Sequence, residues 1–337
     1  MARTSGLTLA EIASPENLTQ AVERAVRGAR RSPAVEQFLA RLPQALHALQ
    51  HGLLSETLEL GHSTEFMIHD PKPRRIAAPI FVERVLHHAV MAFVAPVLER
   101  SLVADTFACL RGRGALAAVM RAQQHARRFP WYAQLDIRQY FASVNHNVLV
   151  DLLERRFRNA GVRRLLEKIV RSGSANGCGL PIGSLCSQHF ANTYLSLADR
   201  VIMQETPARG MVRYMDDIVF WGDDREKILQ TLILVREAVE KTLLLDLRDE
   251  PIINRSEHGL SFCGFRIFPG VLRLLLRRKR RFIAARKRWE RRYAAGLISM
   301  AELQRGYDAA AGIVAHAESL AWRQRQLSLC PELDDAG

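Results

Sequence analysis

Val212-Arg213-Tyr214-Met215-Asp216-Asp217-Ile218-Val219-Phe220-Trp221 sets two adjacent carboxylates in an otherwise apolar, β-branched and aromatic run. Such a run predicts two strands, over 211–215 and 218–221, folded into a hairpin with the acids at its tip. Two anionic side chains beside a buried strand repel each other and lose hydration, a cost that a divalent cation offsets. An Asp-Asp pair is also an ordinary polar turn, so context must decide. A third acid supplies context: Asp136 ends an apolar strand predicted over 131–135 and is followed by Tyr140-Phe141. Together, Asp136, Asp216 and Asp217 would make an all-oxygen site of the kind Mg²⁺ takes, completed by water and substrate phosphates. Two such ions about 4 Å apart activate a terminal hydroxyl and stabilise a leaving pyrophosphate in one in-line displacement, which is nucleotidyl transfer.

Around this stretch lie 337 residues, 48% hydrophobic and 25% charged, too long for a small stapled domain and too apolar for disorder. The 48 Lys and Arg against 35 Asp and Glu leave a net charge of +13, as expected of a protein that meets a polyanion. Nucleic acid is the partner this charge points to. The longest apolar stretch, residues 89–98, is short and contains Pro96, which speaks against a membrane-spanning helix. Residues 1–10 lack the order of a secretory signal, so a cytoplasmic protein with no membrane partner is expected. Cys109, Cys178, Cys186, Cys263 and Cys330 form no C-x-x-C pair and read as reduced packing residues.

Residues 1–55 read as an N-terminal extension of two helices, with Ser14-Pro15-Glu16 as a start signal, Pro33 and Pro43 as interruptions, and a basic string at Arg24, Arg27, Arg30 and Arg31. Two short apolar runs around Asp70-Pro71-Lys72-Pro73-Arg74 predict a strand-turn-strand ribbon over 66–79, with Lys72 and Arg74 on one face. Helical spacing follows over 82–100, 115–128, 148–171, 184–204 and 224–243, and the chain from 277 onward is almost all helical. Strands and helices mixed without strict alternation argue for an α+β fold.

These residues carry a resemblance. Tyr214-Met215-Asp216-Asp217 resembles the Y-x-D-D hairpin of reverse transcriptases, and neighbouring motifs follow in that family's order. Lys72 and Arg74 match its finger ribbon, and Asp136 and Phe141 its first palm motif. Gly179-Leu180-Pro181-Ile182-Gly183-Ser184-Leu185-Cys186-Ser187-Gln188 matches its second. Gly259-Leu260-Ser261-Phe262-Cys263-Gly264-Phe265 resembles its primer-grip hairpin, with Phe262, Cys263 and Gly264 at the grip. The resemblance implies a right-hand polymerase fold, with fingers and palm over 56–270 and a short basic helical thumb over 271–337. It further implies a metal set of Asp136, Ile137, Asp216 and Asp217 holding two Mg²⁺ ions, with Mn²⁺ as a possible substitute and Asp216 the most critical acid. Lys72 and Arg74 would meet the charge of an incoming deoxynucleoside triphosphate. Phe141 would exclude a ribose 2′-hydroxyl, and Ile182, Gly183 and Gln188 would line the nucleotide. An RNA template and its RNA–DNA hybrid are the implied partners.

One motif departs from the common pattern. Most reverse transcriptases have Q-G-x-x-x-S-P in the second palm motif, whereas here Ile182 precedes Gly183 and Gln188 follows Ser187. This I-G-x-x-x-S-Q form resembles the enzymes of diversity-generating retroelements, which copy a structured RNA with frequent errors at adenines and work with a basic accessory protein. Arg84-Val85-Leu86-His87-His88-Ala89 and Ala95-Pro96-Val97-Leu98-Glu99 are similar to the same group. Losing a polar group that reads geometry leaves fewer penalties for a wrong pair; alternatively, Ile182 only packs. Antiviral-defence reverse transcriptases copying a dedicated noncoding RNA share parts of the pattern, and a catalytically silent RNA-binding scaffold is the reading of another class.

Other signals are weaker. His87 and His88 have no partner at metal-ligand spacing and read as core or surface histidines. Gly112-Arg113-Gly114 lacks the preceding strand of a dinucleotide site and reads as a loop, with Arg111 and Arg113 near template phosphates. Arg277-Arg278-Lys279-Arg280-Arg281 opens a basic run that recurs around more than one helical face. Such a run suits a duplex backbone and is equally an ordinary solvated face.

Overall fold

The computed structural model describes residues 4–27, 32–69, 73–174, 176–312 and 314–328. Lys72, Asp70, Pro71, Arg30, Arg31 and Cys330 lie outside them. Four helices open the described chain, where the sequence predicts two: α1 (Leu9–Ile12), α2 (Pro15–Arg27), α3 (Pro33–Ala40) and α4 (Leu42–Leu54). The prolines begin helices instead of interrupting them. Ser32 caps α3 by accepting the Val35 N–H while Pro33 takes the first position, and Pro43 sits in the first turn of α4, where no N–H is missed.

An antiparallel ribbon, β1 (Ser63–His69) and β2 (Pro73–Pro79), sets Ile68 opposite Arg74 and leads into α5 (Phe81–Glu99). By length and composition α5 could cross a membrane, contrary to the expectation from its proline. It is instead a core helix, with Val85, Leu86, Ala89, Val90 and Val94 buried in the main core. His87 is buried there too, and desolvation lowers its pKa to about 4, so it is a neutral core histidine.

After α6 (Ala115–Arg128) come β3 (Trp131–Asp136), the short α7 (Tyr140–Ser143), α8 (His146–Glu154) and α9 (Ala160–Arg171). The single helix predicted over 148–171 is thus two, because Asn159 leaves the helical region and accepts the Val162 N–H as a new cap. α10 (Leu185–Arg200) precedes the hairpin β4 (Gly210–Tyr214) and β5 (Asp217–Gly222), and α11 (Arg225–Glu237) precedes β6 (Ile252–Arg255). A second sheet of β7 (Leu260–Phe262), β8 (Phe265–Ile267) and β9 (Leu272–Leu274) leads to α12 (Leu276–Ala294), α13 (Met300–Gly312) and α14 (Leu320–Ser328).

The central sheet is antiparallel in the order β4-β5-β3-β6. β4 and β5 bury both faces, so the quoted stretch shows no apolar–polar alternation. Met211, Ala133, Leu135, Ile218 and Phe220 face the main helical core. Val212, Tyr132, Val219 and Trp221 face a second core shared with α6, β7–β9 and the thumb helices. By the same period of two, Gln134, Asp136 and Asp217 point to the second side and Arg213 to the first.

Candidate active site

Pairing register brings the acids together. Asp136 closes β3 directly opposite Asp217, the first residue of β5, and Tyr214 pairs with Asp217 on the other side. The hairpin loop is therefore Met215-Asp216, one residue earlier than the sequence predicts, and Asp217 belongs to the strand. Like charges facing each other across a ladder are unfavourable. Burial, followed by the Asp216 charge, raises the Asp136 carboxyl to about 6 despite the opposing Arg248. Burial raises Asp217 to about 7; a hydrogen bond from Gln134 opposes this, and the Asp136 and Asp216 charges reinforce it.

The arrangement fits a divalent cation in an open site. Asp136 Oδ1 is buried without a hydrogen-bond partner, while Oδ2 forms an ion pair with Arg248. Gln134 Nε2 donates to Asp217 Oδ1 at 2.8 Å. Among the described residues no group of three or more His, Cys, Asp or Glu side chains is placed to hold a metal ion by itself. Such a site needs water and phosphate oxygens to complete it, as Mg²⁺ commonly does. Ile137, the remaining member of the predicted metal set, is buried and bridged to Leu247, so only its backbone could serve as a ligand.

Arg213, unremarked in the sequence, underlies the hairpin. It is fully buried, and its Nε and Nη2 donate to Asp199 at 2.7 to 3.0 Å. Its other donors reach Asn192 and the Met215 carbonyl, the latter at 3.0 Å. Met215 holds φ 57°, a left-handed conformation that costs a non-glycine residue on the order of 1 kcal/mol or more. The bond to its carbonyl pins that turn. Arg248 and Gln134, which meet the acids from neighbouring segments, are likewise absent from the sequence-based set.

The ribbon docks on the second palm motif. Ala77 N–H donates to the Ile182 carbonyl at 2.9 Å. At Gly183, φ is 120° and an added Cβ would lie 3.1 Å from the Ala77 carbonyl oxygen, so both conformation and space require glycine. A cavity of about 190 Å³ lies between the ribbon and this motif, lined by Glu65, Ala77, His87, Pro181 and Ser184 among others. Arg74 is exposed on β2, Ile182 is half-buried and Gln188 is exposed in α10. Phe141 is half-buried, edge-on to Tyr140 at 5.7 Å, and its carbonyl accepts the Leu180 N–H at 2.7 Å, tying the first palm motif to the second. Lys72 cannot be placed with this group.

Cys263 (φ 46°) and Gly264 (φ 83°) form the two-residue turn between β7 and β8, a mirror-type turn suited to a twisted hairpin. Phe262 is buried beneath it. Gln134 Nε2, which donates to Asp217, also donates to the Ser261 carbonyl of β7 at 3.2 Å, setting this hairpin beside the acids; burial and the Asp217 charge push the Cys263 thiol up to about 12. The five predicted thumb cations divide. Arg278 lies over the Phe265 ring at 4.1 Å and donates to the Cys263 carbonyl, and Lys279 covers Trp322. Arg277, Arg280 and Arg281 are exposed, as are Arg288, Arg291 and Arg292. At about 100° per residue these six fall in a single arc of about 120°, opposite the buried Phe282, Arg286 and Glu290. The six exposed arginines thus share one face, while Arg278 and Lys279 lie off it against the neighbouring elements. Arg113 is exposed, and its Nη1 donates to the carbonyls of Ala104 and Thr106.

A family model described as reverse transcriptase (RNA-dependent DNA polymerase) matches residues 69–247, more than half of the chain. The match contains all three acids, Arg74, Phe141 and the Ile182–Gln188 motif; the primer-grip turn and α12 lie beyond it. The COX1/OXI3 intron 2 protein of Saccharomyces cerevisiae is 25% identical over 95 residues, 26% of this chain and 11% of that protein. The intron 1 protein of the same yeast is 19% identical over 145 residues, 40% of this chain and 17% of that protein. The chain thus spans less than a fifth of either relative. Apo telomerase from Candida tropicalis, truncated from the C-terminal domain, aligns with a TM-score of 0.48 and 10% identity over 64% of this chain and 55% of that one. With the family model covering more than half of the chain, from the second ribbon strand through β3 to the carboxylate hairpin, the chain belongs to the reverse transcriptase family.

Proposed function

We propose that the chain is an RNA-directed DNA polymerase of the diversity-generating type, copying a structured RNA into error-rich complementary DNA with a basic accessory protein as partner. The observation that carries the catalytic reading is the register of Asp136 opposite Asp217, with Asp216 in the adjoining turn and a buried carboxylate oxygen left unpartnered. Mg²⁺, or Mn²⁺ in its place, would be held by Asp136, Asp216, Asp217 and the Ile137 backbone, and supplies charge neutralisation at the attacking and leaving oxygens. The rest falls to the chain itself. Lys72 and Arg74 bind the triphosphate, Arg74 from the second ribbon strand, and Arg248, paired with Asp136, is a guanidinium at the acids for the charge of that substrate. Phe141 limits space at the sugar, and the Cys263-Gly264 turn supports the primer end. The arginine arc of α12 follows the RNA–DNA hybrid.

Ile182 supports the subtype. Its carbonyl is committed to the ribbon while its side chain offers no hydrogen bond to a nascent pair. The test is extension of a DNA primer on RNA followed by deep sequencing, with Ile182→Gln as the comparison. We expect frequent errors opposite adenine and fewer with the glutamine, since unsatisfied polar groups then reject the wrong pair. Equal error rates would remove the diversity-generating reading and leave the polymerase reading standing.

A further inference from the structure

We propose that the end of the central sheet remote from the acids is a second binding surface, which takes single-stranded RNA outside the copied segment. Trp131 begins the strand that Asp136 ends, so about 3.3 Å per residue puts it roughly 16 Å from the acids. Three segments meet at this end. Ser256 donates to the Phe129 carbonyl at 2.6 Å, Arg127 to the Pro269 carbonyl at 2.5 Å and Gln123 to the Phe268 carbonyl at 3.3 Å. They enclose an open cleft of about 220 Å³ walled by Arg127, Arg128 and Arg255 and floored by Phe129, Pro130 and Pro269.

The residue chemistry alternates cation and ring. Arg128 lies over Phe129 and Arg255 over Trp131, each at 5.6 Å. Arg266 and Arg273, directly opposite each other across β8 and β9, both lie over Phe268, at 5.9 and 5.4 Å. Facing arginines on adjacent strands repel, yet Arg266 donates only to neutral partners, Ser261 Oγ and the His258 carbonyl. Glu257 is the one acid lining the cleft among the described residues, and it pairs with Arg255 at 3.1 Å. Asp223 and Asp224 follow Gly222, the β5 residue paired with Trp131, and are themselves paired with Arg209 and Lys227.

Phe129, Trp131 and Phe268 are half-buried beneath these guanidiniums, and an exposed guanidinium stacked on a ring keeps its N–H edge for a phosphate and its outer face for a base; a polynucleotide uses both and an acidic protein only the first. That alternation favours a single strand over a protein partner. The identity of the strand as template rests on the polymerase reading above; the surface itself does not.

The test is equilibrium binding of a fluorescent oligouridine of about 20 nucleotides to the full chain, with excess unlabelled primer–template duplex filling the polymerase cleft. The comparison is an Arg128→Ala, Arg255→Ala, Arg273→Ala triple variant, whose three side chains are exposed. We expect at least about tenfold weaker binding and a salt slope smaller by about 2, at roughly 0.7 for each single-strand phosphate that the variant no longer neutralises. Extension on a short pre-annealed duplex should be unchanged, and ultraviolet crosslinks to oligouridine should fall on residues 127–131 and 266–273. Unchanged oligouridine affinity and slope would overturn the proposal, as would a variant that loses polyglutamate binding while keeping RNA. A wild-type chain that fails to extend primers but loses oligouridine in the triple variant would instead refute only the polymerase reading.

Discussion

Neutralising Asp199 beneath the catalytic turn should cost the fold heavily. Asp199 and Arg213 are each 0% exposed, and three hydrogen bonds of 2.7 to 3.0 Å join them. Asp199→Asn leaves a buried guanidinium without its counter-charge, and breaking such a pair from one side costs about 3–5 kcal/mol. At an unfolding entropy of about 2.1 cal/mol/K per residue, 337 residues unfolding as one unit would lose about 4–7 °C. Replacing both partners, as Arg213→Met with Asp199→Leu, should recover only part of this: an apolar pair carries no desolvation cost, but Asn192 and Thr106 lose their buried partners. Catalysis should not recover with it: the Met215 carbonyl loses its Arg213 donor, and the turn at φ 57° loses its hold on Asp216. The assay pairs thermal unfolding in EDTA with primer extension on the same preparations. An Asp199→Asn protein melting within about a degree of wild type would refute the buried-pair argument, and wild-type extension by the double variant would refute the positioning argument.

Three further outcomes follow from the site. Phe141→Ala should raise ribonucleotide incorporation relative to deoxyribonucleotide in single-turnover assays; unchanged sugar selectivity would make Phe141 a packing residue. Asp136 at about 6 and Asp217 at about 7 lie above the ordinary unfolded carboxylate value, so the metal-free native chain holds extra protons between about pH 4 and 7. Their contribution to stability must then rise as pH falls through that window. Thermal unfolding in EDTA should show wild type gaining on the Asp136→Asn, Asp217→Asn double variant from pH 8 to 5.5, and parallel curves would contradict the raised values. Arg277→Ala, Arg281→Ala and Arg288→Ala should each lower the salt slope of duplex binding by about 0.9, read by fluorescence titration; unchanged slopes would assign the arc to another partner.

The acids were legible because their signal is local. An apolar run interrupted by Asp216-Asp217, and a strand ended by Asp136, need only the period of two to be read as neighbours on one sheet. The ribbon, α6 and the basic helix α12 were visible for the same reason. What was hidden depends on residues far apart in the chain. Arg213 looks like a charge on a strand, and only its distance of fourteen residues from Asp199, closed by the packing of α10 on β4, shows it to be a buried pair. A single cation in an otherwise apolar, β-branched and aromatic run was the available clue. Arg248 meets Asp136 across 112 residues and follows no motif. Pro33 and Pro43 misled because a proline reads alike as a break or as a first-turn residue, and only Ser32's capping bond decides between them at α3. The thumb run seemed to circle its helix because five consecutive cations must; burial of Phe282, Arg286 and Glu290 selects the exposed arc.

The most direct test of the central claim is primer extension on an RNA template, with and without divalent metal, by the wild-type chain and by Asp216→Asn, alongside calorimetric titration of each with Mg²⁺. The account predicts extension only with metal, its loss in Asp216→Asn as several kcal/mol of transition-state stabilisation disappear, and weakened Mg²⁺ binding at an unaltered unfolding temperature. Extension without metal, or near-normal extension by Asp216→Asn, would contradict it.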